Sequence, residues 1–278
     1  MAEKILITGA DGMLGKDLCP ILEKRGFQVI PTNRHNMDIT SIKEIEMVFN
    51  KHNPDIVIHC AAYTNVNEAE NDREKTREIN IIGTQNTAKM SQLFRSHLIY
   101  ISTDYVFDGN RNYPYLSTDK PNPINYYGLT KYRGEIAVKE YCDRYSIVRT
   151  SWLYGVHGKN FAETMISLSK KGEIRVVNDQ FGCPTWTVDL SNGIVDIINS
   201  KKYNGIHHIC GKGVTTWFEF AKEIFKQLNI DINVIPCYDS EYQSDAKRPK
   251  YSAMADKDYV GRDWKEALKL YLAERGKH

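Results

Sequence analysis

The sequence lacks any apolar run long enough to cross a bilayer as a helix, which takes about 20 residues. Its first apolar run, Ile5-Leu6-Ile7, ends at Thr8-Gly9 and is too short for a signal-peptide core. No sign of charge dominates. The 37 Lys and Arg against 35 Asp and Glu leave a net +2, with the charges interspersed. That removes the electrostatic case for a nucleic-acid or membrane-surface partner. Six cysteines are scattered with no C-x-x-C and no His-spaced pair. This pattern argues against zinc and against a disulfide framework, and for a reducing cytoplasm. Internal repeats and low-complexity segments are absent too. What remains, 278 residues with 41% hydrophobic and 26% charged, suits a globular chain of one large or two small domains.

Two neighbouring stretches organise the rest. His97-Leu98-Ile99-Tyr100-Ile101 reads as a buried parallel strand, and Ser102-Thr103-Asp104 follow at its carboxyl end, where open α/β sheets place ligands. Next, Tyr127-Gly128-Leu129-Thr130-Lys131 opens a helical pattern. Residues four apart share a helix face, so Tyr127 and Lys131 point the same way. A Tyr phenol beside an ammonium is expected to titrate below its usual value of about 10 and to exchange a proton with a carbonyl oxygen. A Tyr-x-x-x-Lys pair alone is weak and fits an ordinary helix surface; its context raises it.

That context begins at Lys4-Ile5-Leu6-Ile7-Thr8, a short buried strand leading into Gly9-Ala10-Asp11-Gly12-Met13-Leu14-Gly15. Glycines at i, i+3 and i+6 allow a tight turn, close approach of backbone to a pyrophosphate, and close helix–strand packing. A helix running on from Leu14 would aim its N–H groups at the phosphates. The second strand, Gln28 to Pro31, ends in Thr32-Asn33-Arg34 without the acid that takes a ribose 2′-hydroxyl in NAD enzymes. Arg34 would meet a 2′-phosphate, which favours NADP; its alternative is a solvated loop charge. A third strand, Asp55 to Ala62, ends in small residues that let a cofactor cross the sheet edge. His59 within it reads as a packed core residue.

Helix is expected over about 67–89 and 90–95, then strand over 146–150. Beyond Ser151-Trp152 the alternation weakens into a helix (161–170), a strand (174–177), helices near 188–199, 217–228 and 264–275, and a strand at 207–210. His207 and His208 are adjacent, face opposite ways in a strand, and cannot chelate one metal. The pattern predicts a doubly wound parallel sheet over 1–150 with a smaller C-terminal α/β lobe over 151–278, the helix and strand near 186–210 being candidates to return to the sheet.

Nearly the whole chain resembles the extended short-chain dehydrogenase/reductase superfamily and, within it, the dTDP-4-dehydrorhamnose reductase family. The resemblance lies in Thr8 to Gly15, Met37-Asp38-Ile39-Thr40, His59-Cys60-Ala61-Ala62-Tyr63-Thr64 and Ser102-Thr103-Asp104-Tyr105-Val106-Phe107. It continues in Tyr127-x-x-x-Lys131, Arg149-Thr150-Ser151-Trp152-Leu153-Tyr154-Gly155, Asp179-Gln180-x-Gly182-x-Pro184-Thr185 and Arg248-Pro249. It implies a Rossmann-type sheet and reduction of the 4-keto group of dTDP-4-dehydro-β-L-rhamnose by NADPH, with NADH also plausible. By the same resemblance Tyr127 donates the proton, Thr103 hydrogen-bonds the substrate oxygen, and Lys131 holds the nicotinamide ribose. Asp38 and Ile39 would lie by the adenine and Ala61, Ala62 and Tyr63 along the cofactor. Asp104 and Trp152 would sit at the sugar and Arg248 at the diphosphate, Arg248 having a plain surface charge as its alternative. No metal is called for, and a homodimer is left open. Two departures stand out: Asn67, where many members have Asp, and Asn33-Arg34, where some have an acid. A 4,6-dehydratase would need an Asp-Glu pair after the Thr, whereas Thr103 is followed by Asp104-Tyr105. The other rivals are another nucleotide-sugar reductase or epimerase and a non-catalytic NADP-binding regulatory subunit.

Overall fold

Side chains of a strand alternate between the two faces of its sheet, and here both faces are apolar. In a computed structural model describing residues 2–201, 204–242 and 244–277, Ile5, Ile7, Ile56, Ile58 and Ile99 enter one core cluster. Their neighbours Leu6, Val57, Leu98 and Tyr100 enter another. A sheet covered on both sides is what the unbroken apolar runs require.

The chain alternates β1 (Lys4–Thr8), α1 (Met13–Lys24), β2 (Gln28–Thr32), α2 (Ile42–His52) and β3 (Ile56–His59). There follow α3 (Glu68–Asn71), α4 (Arg73–Arg77), α5 (Thr84–Leu93), β4 (His97–Thr103), α6 (Tyr126–Tyr141) and β5 (Tyr145–Thr150). The later elements are β6 (Leu153–Tyr154), α7 (Phe161–Leu168), β7 (Glu173–Val177), β8 (Phe181–Gly182), β9 (Thr185–Trp186), α8 (Thr187–Ser200) and β10 (Gly205–His208). Last come β11 (Thr215–Thr216), α9 (Trp217–Gln227), β12 (Asn233–Cys237) and α10 (Trp264–Arg275).

Six strands form one sheet in the order β10-β5-β4-β3-β1-β2, with every pairing parallel. Leu14, Leu18 and Leu22 of α1 and Leu190, Ile194 and Ile198 of α8 cover one face. Ile45 and Phe49 of α2, Ala88 of α5 and Val138 of α6 cover the other. Thus the chain leaves the sheet after β5 and comes back through α8 and β10, which pairs with β5.

The excursion and the chain beyond β10 together build a separate cluster around Trp186, Phe220, Trp264 and Tyr271. Its β7 pairs parallel with β12, a strand that pattern reading leaves out because Asn233-Val234-Ile235-Pro236-Cys237 is short and holds a proline. Pro236 is tolerated since, among the described residues, β12 pairs with β7 alone.

Two sequence expectations need correction. The helix expected unbroken over 67–89 is interrupted: Asp72 caps α4 by accepting from the Lys75 N–H, and a π-helical segment, Glu78–Gly83, precedes α5. The strand expected at 207–210 runs instead over Gly205–His208, in register with Ser146 to Arg149.

Candidate active site

At the carboxyl edge of the sheet lies a cleft of about 1000 Å³. One end is the glycine turn. Gly9 has φ +66°, and a Cβ there would stand 2.8 Å from the backbone of Ala61. A Cβ at Gly15 would stand 2.5 Å from the Ala10 Cα, so only glycine lets α1 sit against the turn. Gly12 caps α1 with no side-chain hydrogen bond and no acid follows in the first turn, leaving the leading N–H groups for an anion. Asp11, Gly12, Met13 and Leu14 line the cleft beside these glycines. Such a cradle fits a dinucleotide pyrophosphate.

Further along, Arg34, Asp38 and Ile39 line the cleft, then Ala61, Ala62 and Tyr63. Asp38 is held by the Thr40 N–H and hydroxyl, both at 2.8 Å, and no acid pairs with Arg34 among the described residues. His59 is fully buried, 2.7 Å from the Thr8 hydroxyl and 3.1 Å from that of Thr84. Burial pushes its pKa down to about 3, so it is a neutral strap between strands.

The π-helical segment supplies a residue that pattern reading misses. Asn80, almost wholly buried, accepts from the Tyr63 N–H (2.8 Å) and donates to the Tyr63 carbonyl (3.1 Å) and the Thr130 hydroxyl (3.0 Å). One amide thereby fixes the loop after β3 against α6. π-Helical turns concentrate at functional sites, but sequence periodicity does not reveal them.

At the other end stand Thr103, Asp104, Tyr127 and Lys131, with Trp152 behind them. Asn125 caps α6 by accepting from the Gly128 N–H at 2.7 Å. A Cβ at Gly128 would fall 2.1 Å from the Tyr105 carbonyl oxygen, so this glycine lets the helix reach the end of β4. Lys131 donates to the Ile101 carbonyl (2.7 Å) and lies 4.1 Å above the Tyr100 ring. Burial lowers its pKa to about 7 against the pull of Glu135.

The expected depression of the Tyr127 pKa by Lys131 is not what the geometry produces. Burial and the Asp104 carboxyl push the phenol well above its ordinary value, and only the Thr103 hydroxyl draws it down. The Lys131 amine donates instead to a strand carbonyl. Tyr127 is therefore a neutral phenol at physiological pH, the form that gives a proton.

Beneath the pair lies a buried charge network. Glu135 takes two hydrogen bonds from Arg149, at 2.8 and 2.7 Å, and a third from the Ser102 hydroxyl at 2.6 Å. It joins α6 to β4 and β5 one turn below Lys131. The signal was present as an arginine inside the apolar strand Ile147-Val148-Arg149.

Trp152 adopts φ +48° and stacks on Trp217 at 3.4 Å and 6°, above Gly182. Trp217 also lines a second cavity of about 290 Å³. Arg248 lines that cavity rather than the main cleft. Its guanidinium bonds Ser244 and, at 2.9 Å, the Asn67 carbonyl oxygen, and it reaches the Tyr105 phenol. Asn67, the departure noted in the sequence, thus orients a cation. Arg175, Gln180, Asp239 and Tyr242 complete the wall; of these, pattern reading offered only Gln180, within a motif. His208 is held neutral by burial, with a pKa of about 4, and its Nδ1 faces the Tyr115 and Ala255 carbonyls.

With this geometry in place, comparison with family models matches residues 3–276 to the RmlD substrate binding domain. The chain belongs to the RmlD substrate binding domain family. One relative is the spore coat polysaccharide biosynthesis protein SpsK of Bacillus subtilis, 37% identical, the match covering 98% of each chain. Another is the dTDP-4-keto-6-deoxy-D-glucose reductase of Streptomyces niveus, 38% identical over 96% of this chain and 92% of its own. The crystal structure of dTDP-4-dehydrorhamnose reductase from Bacillus anthracis, in complex with NADP, superposes with a TM-score of 0.96 at 44% identity, covering 99% of this chain and 100% of that one. The RmlD family fold is the Rossmann-type parallel sheet described above. Among the described residues, no helix is long and apolar enough to cross a membrane.

Proposed function

We propose that this chain is an NADPH-dependent reductase of a dTDP-4-keto-6-deoxysugar, converting dTDP-4-dehydro-β-L-rhamnose to dTDP-L-rhamnose. The observation that carries the reading is the convergence of Thr103, Tyr127 and Lys131 on one cleft with the glycine cradle. The relatives that reduce dTDP-4-keto sugars, and the neighbour that binds NADP, support it.

NADPH held along the cleft by the glycine turn and Lys131 would supply the hydride that reduces the 4-keto carbon. Tyr127, buried and neutral, gives the proton to the ketone oxygen, and Thr103 hydrogen-bonds that oxygen. Lys131, fixed on the Ile101 carbonyl, orients the nicotinamide ribose. Gly9 to Gly15 hold the pyrophosphate, and Asp38 and Ile39 flank the adenine. Arg34, with no acid beside it, meets a 2′-phosphate. Asp104 and Trp152 face the sugar, and Arg248 holds the substrate diphosphate from the second cavity.

Labour divides accordingly. Residues 1–150 with the returning α8 and β10 serve the cofactor, and the rest of 151–278 the sugar nucleotide. Six free thiols suit a reducing cytoplasm. The experiment is to follow NADPH and NADH oxidation with a panel of nucleotide 4-keto sugars. Turnover of the L-rhamnose precursor supports the reading. Turnover confined to another sugar moves it within the family, and tight NADPH binding without any turnover favours a non-catalytic regulatory subunit.

A further inference from the structure

Between β6 and α7 the chain makes a short strap, residues 155–160, that crosses the start of α1. Its two ends are tied together, the Asn160 side-chain amide donating to the Gly155 carbonyl at 2.7 Å. The same side chain accepts from the Glu163 N–H at 3.1 Å and so caps α7. Two side-chain contacts pin the strap to α1. The Asn160 amide lies 3.8 Å from the Met13 sulfur, and His157 Nε2 lies 3.4 Å from Oδ1 of Asp17. Oδ2 of Asp17 accepts from the Thr187 hydroxyl, and Gly155 packs over that contact so closely that a Cβ would stand 2.3 Å from the hydroxyl oxygen.

At the tip, Gly158 has φ +85°, and Gly158 and Lys159 line the main cleft together with Gly12, Met13 and Leu14. Compact loops with joined ends are frequently functional. The other cations of this cleft have places of their own. Lys131 donates to the Ile101 carbonyl, Lys75 sits 5.3 Å over the Tyr63 ring, and Arg34 follows the tip of β2. Lys159 is exposed and makes no ion pair among the described residues. The glycine turn offers N–H groups and a helix dipole but no full positive charge, whereas a pyrophosphate is negative on each phosphate.

We propose that Lys159 is a cofactor-binding residue, carried by the strap to the glycine turn so that its ammonium pairs with the dinucleotide pyrophosphate. The cofactor is then held from two sides, by the turn after β1 and by a loop from the far half of the chain. The proposal rests on the reductase reading above and goes beyond it, since the residues that leave the sheet after β5 otherwise serve the sugar nucleotide. NADPH and NADH share the pyrophosphate, so Lys159 adds affinity for both and leaves the choice between them to Arg34. Salt weakens the contact, because the ammonium is exposed until the ligand arrives.

Calorimetric titration of NADPH, NADH and dTDP into wild type, Lys159→Met and Lys159→Arg tests the assignment. Methionine keeps an unbranched stem and removes the charge. It should weaken NADPH and NADH alike by roughly fivefold at low salt, the upper end for an exposed ion pair. Affinity for dTDP should hold, Lys159→Arg should restore both dinucleotides, and the gap between wild type and Lys159→Met should narrow at high salt. A loss confined to NADPH would assign Lys159 to the 2′-phosphate and overturn the proposal. A loss of dTDP affinity would assign it to the substrate diphosphate, with the same result. Unchanged dinucleotide affinities also overturn it, as does a loss that neither Lys159→Arg nor salt alters. A wild type that binds neither dinucleotide would defeat the reductase reading instead, whereas failure of the proposal alone leaves wild-type binding intact.

Discussion

Breaking one side of the Glu135–Arg149 pair gives the severest test of how the catalytic helix is held. Arg149 is 1% exposed and Glu135 0%, and the fork is bidentate at 2.8 and 2.7 Å. In Arg149→Met the methionine fills the stem volume but leaves a buried carboxylate with only the 2.6 Å bond from Ser102. Removing one partner of a buried pair costs about 3–5 kcal/mol, because the other charge stays buried. At 2–4 °C per kcal/mol for chains of this order, the melting temperature should fall by roughly 6–20 °C. Glu135→Leu combined with Arg149→Met replaces both charges by apolar volume and should recover most of the loss. Urea titrations of wild type, both single variants and the double variant close the cycle. A single variant losing less than about 1 kcal/mol would refute the reasoning and mean that solvent reaches the pair. A double variant no better than the worse single would show that the pair contributes packing rather than charge compensation.

Tyr127→Phe should keep NADPH affinity by calorimetry while turnover drops by something like 10²–10⁴, and retention of half the wild-type rate would remove the phenol from the mechanism. Arg34→Ala should shrink the ratio of kcat/KM for NADPH over NADH, whereas a strong wild-type preference for NADH would show that the second-strand tip does not read the 2′-phosphate. Arg248→Ala should weaken dTDP binding by about 1.5–3 kcal/mol with cofactor Kd unmoved, the range for a hydrogen bond to a charged group; unaltered dTDP affinity would place the diphosphate elsewhere. Stability should decline as pH falls below about 6.5, because His59 and His97 titrate near 3 and His208 near 4 when folded, and the unfolded chain binds those protons first. Asp104 acts the other way between about 4 and 7, so His59→Asn should flatten the acid limb and Asp104→Asn should steepen it.

Local chemistry made the dinucleotide half legible. A buried parallel strand declares itself by an unbroken apolar run, and β1, β3 and β4 are legible that way. The turn from Gly9 to Gly15 and the spacing of Tyr127 and Lys131 announce themselves because each constraint spans a few residues. The sequence by itself therefore determined the sheet, its ligand edge and the residue types that face it.

Tertiary structure decided what depends on distant partners. The phenol of Tyr127 rises in pKa because the fold buries it against Asp104 and spends the Lys131 ammonium on a strand carbonyl. No local rule reports which oxygen an amine will reach. Arg248 joins Asn67 across 181 positions, and Asp104 meets Ser252 across 148. Asn80 clamps Tyr63 from a π-helical turn that helical periodicity hides, and β12 exists only because β7 offers it an edge. Hydrogen bonds and charges act over a few ångströms in space. Their partners are chosen when the C-terminal segment folds back over the ends of the strands.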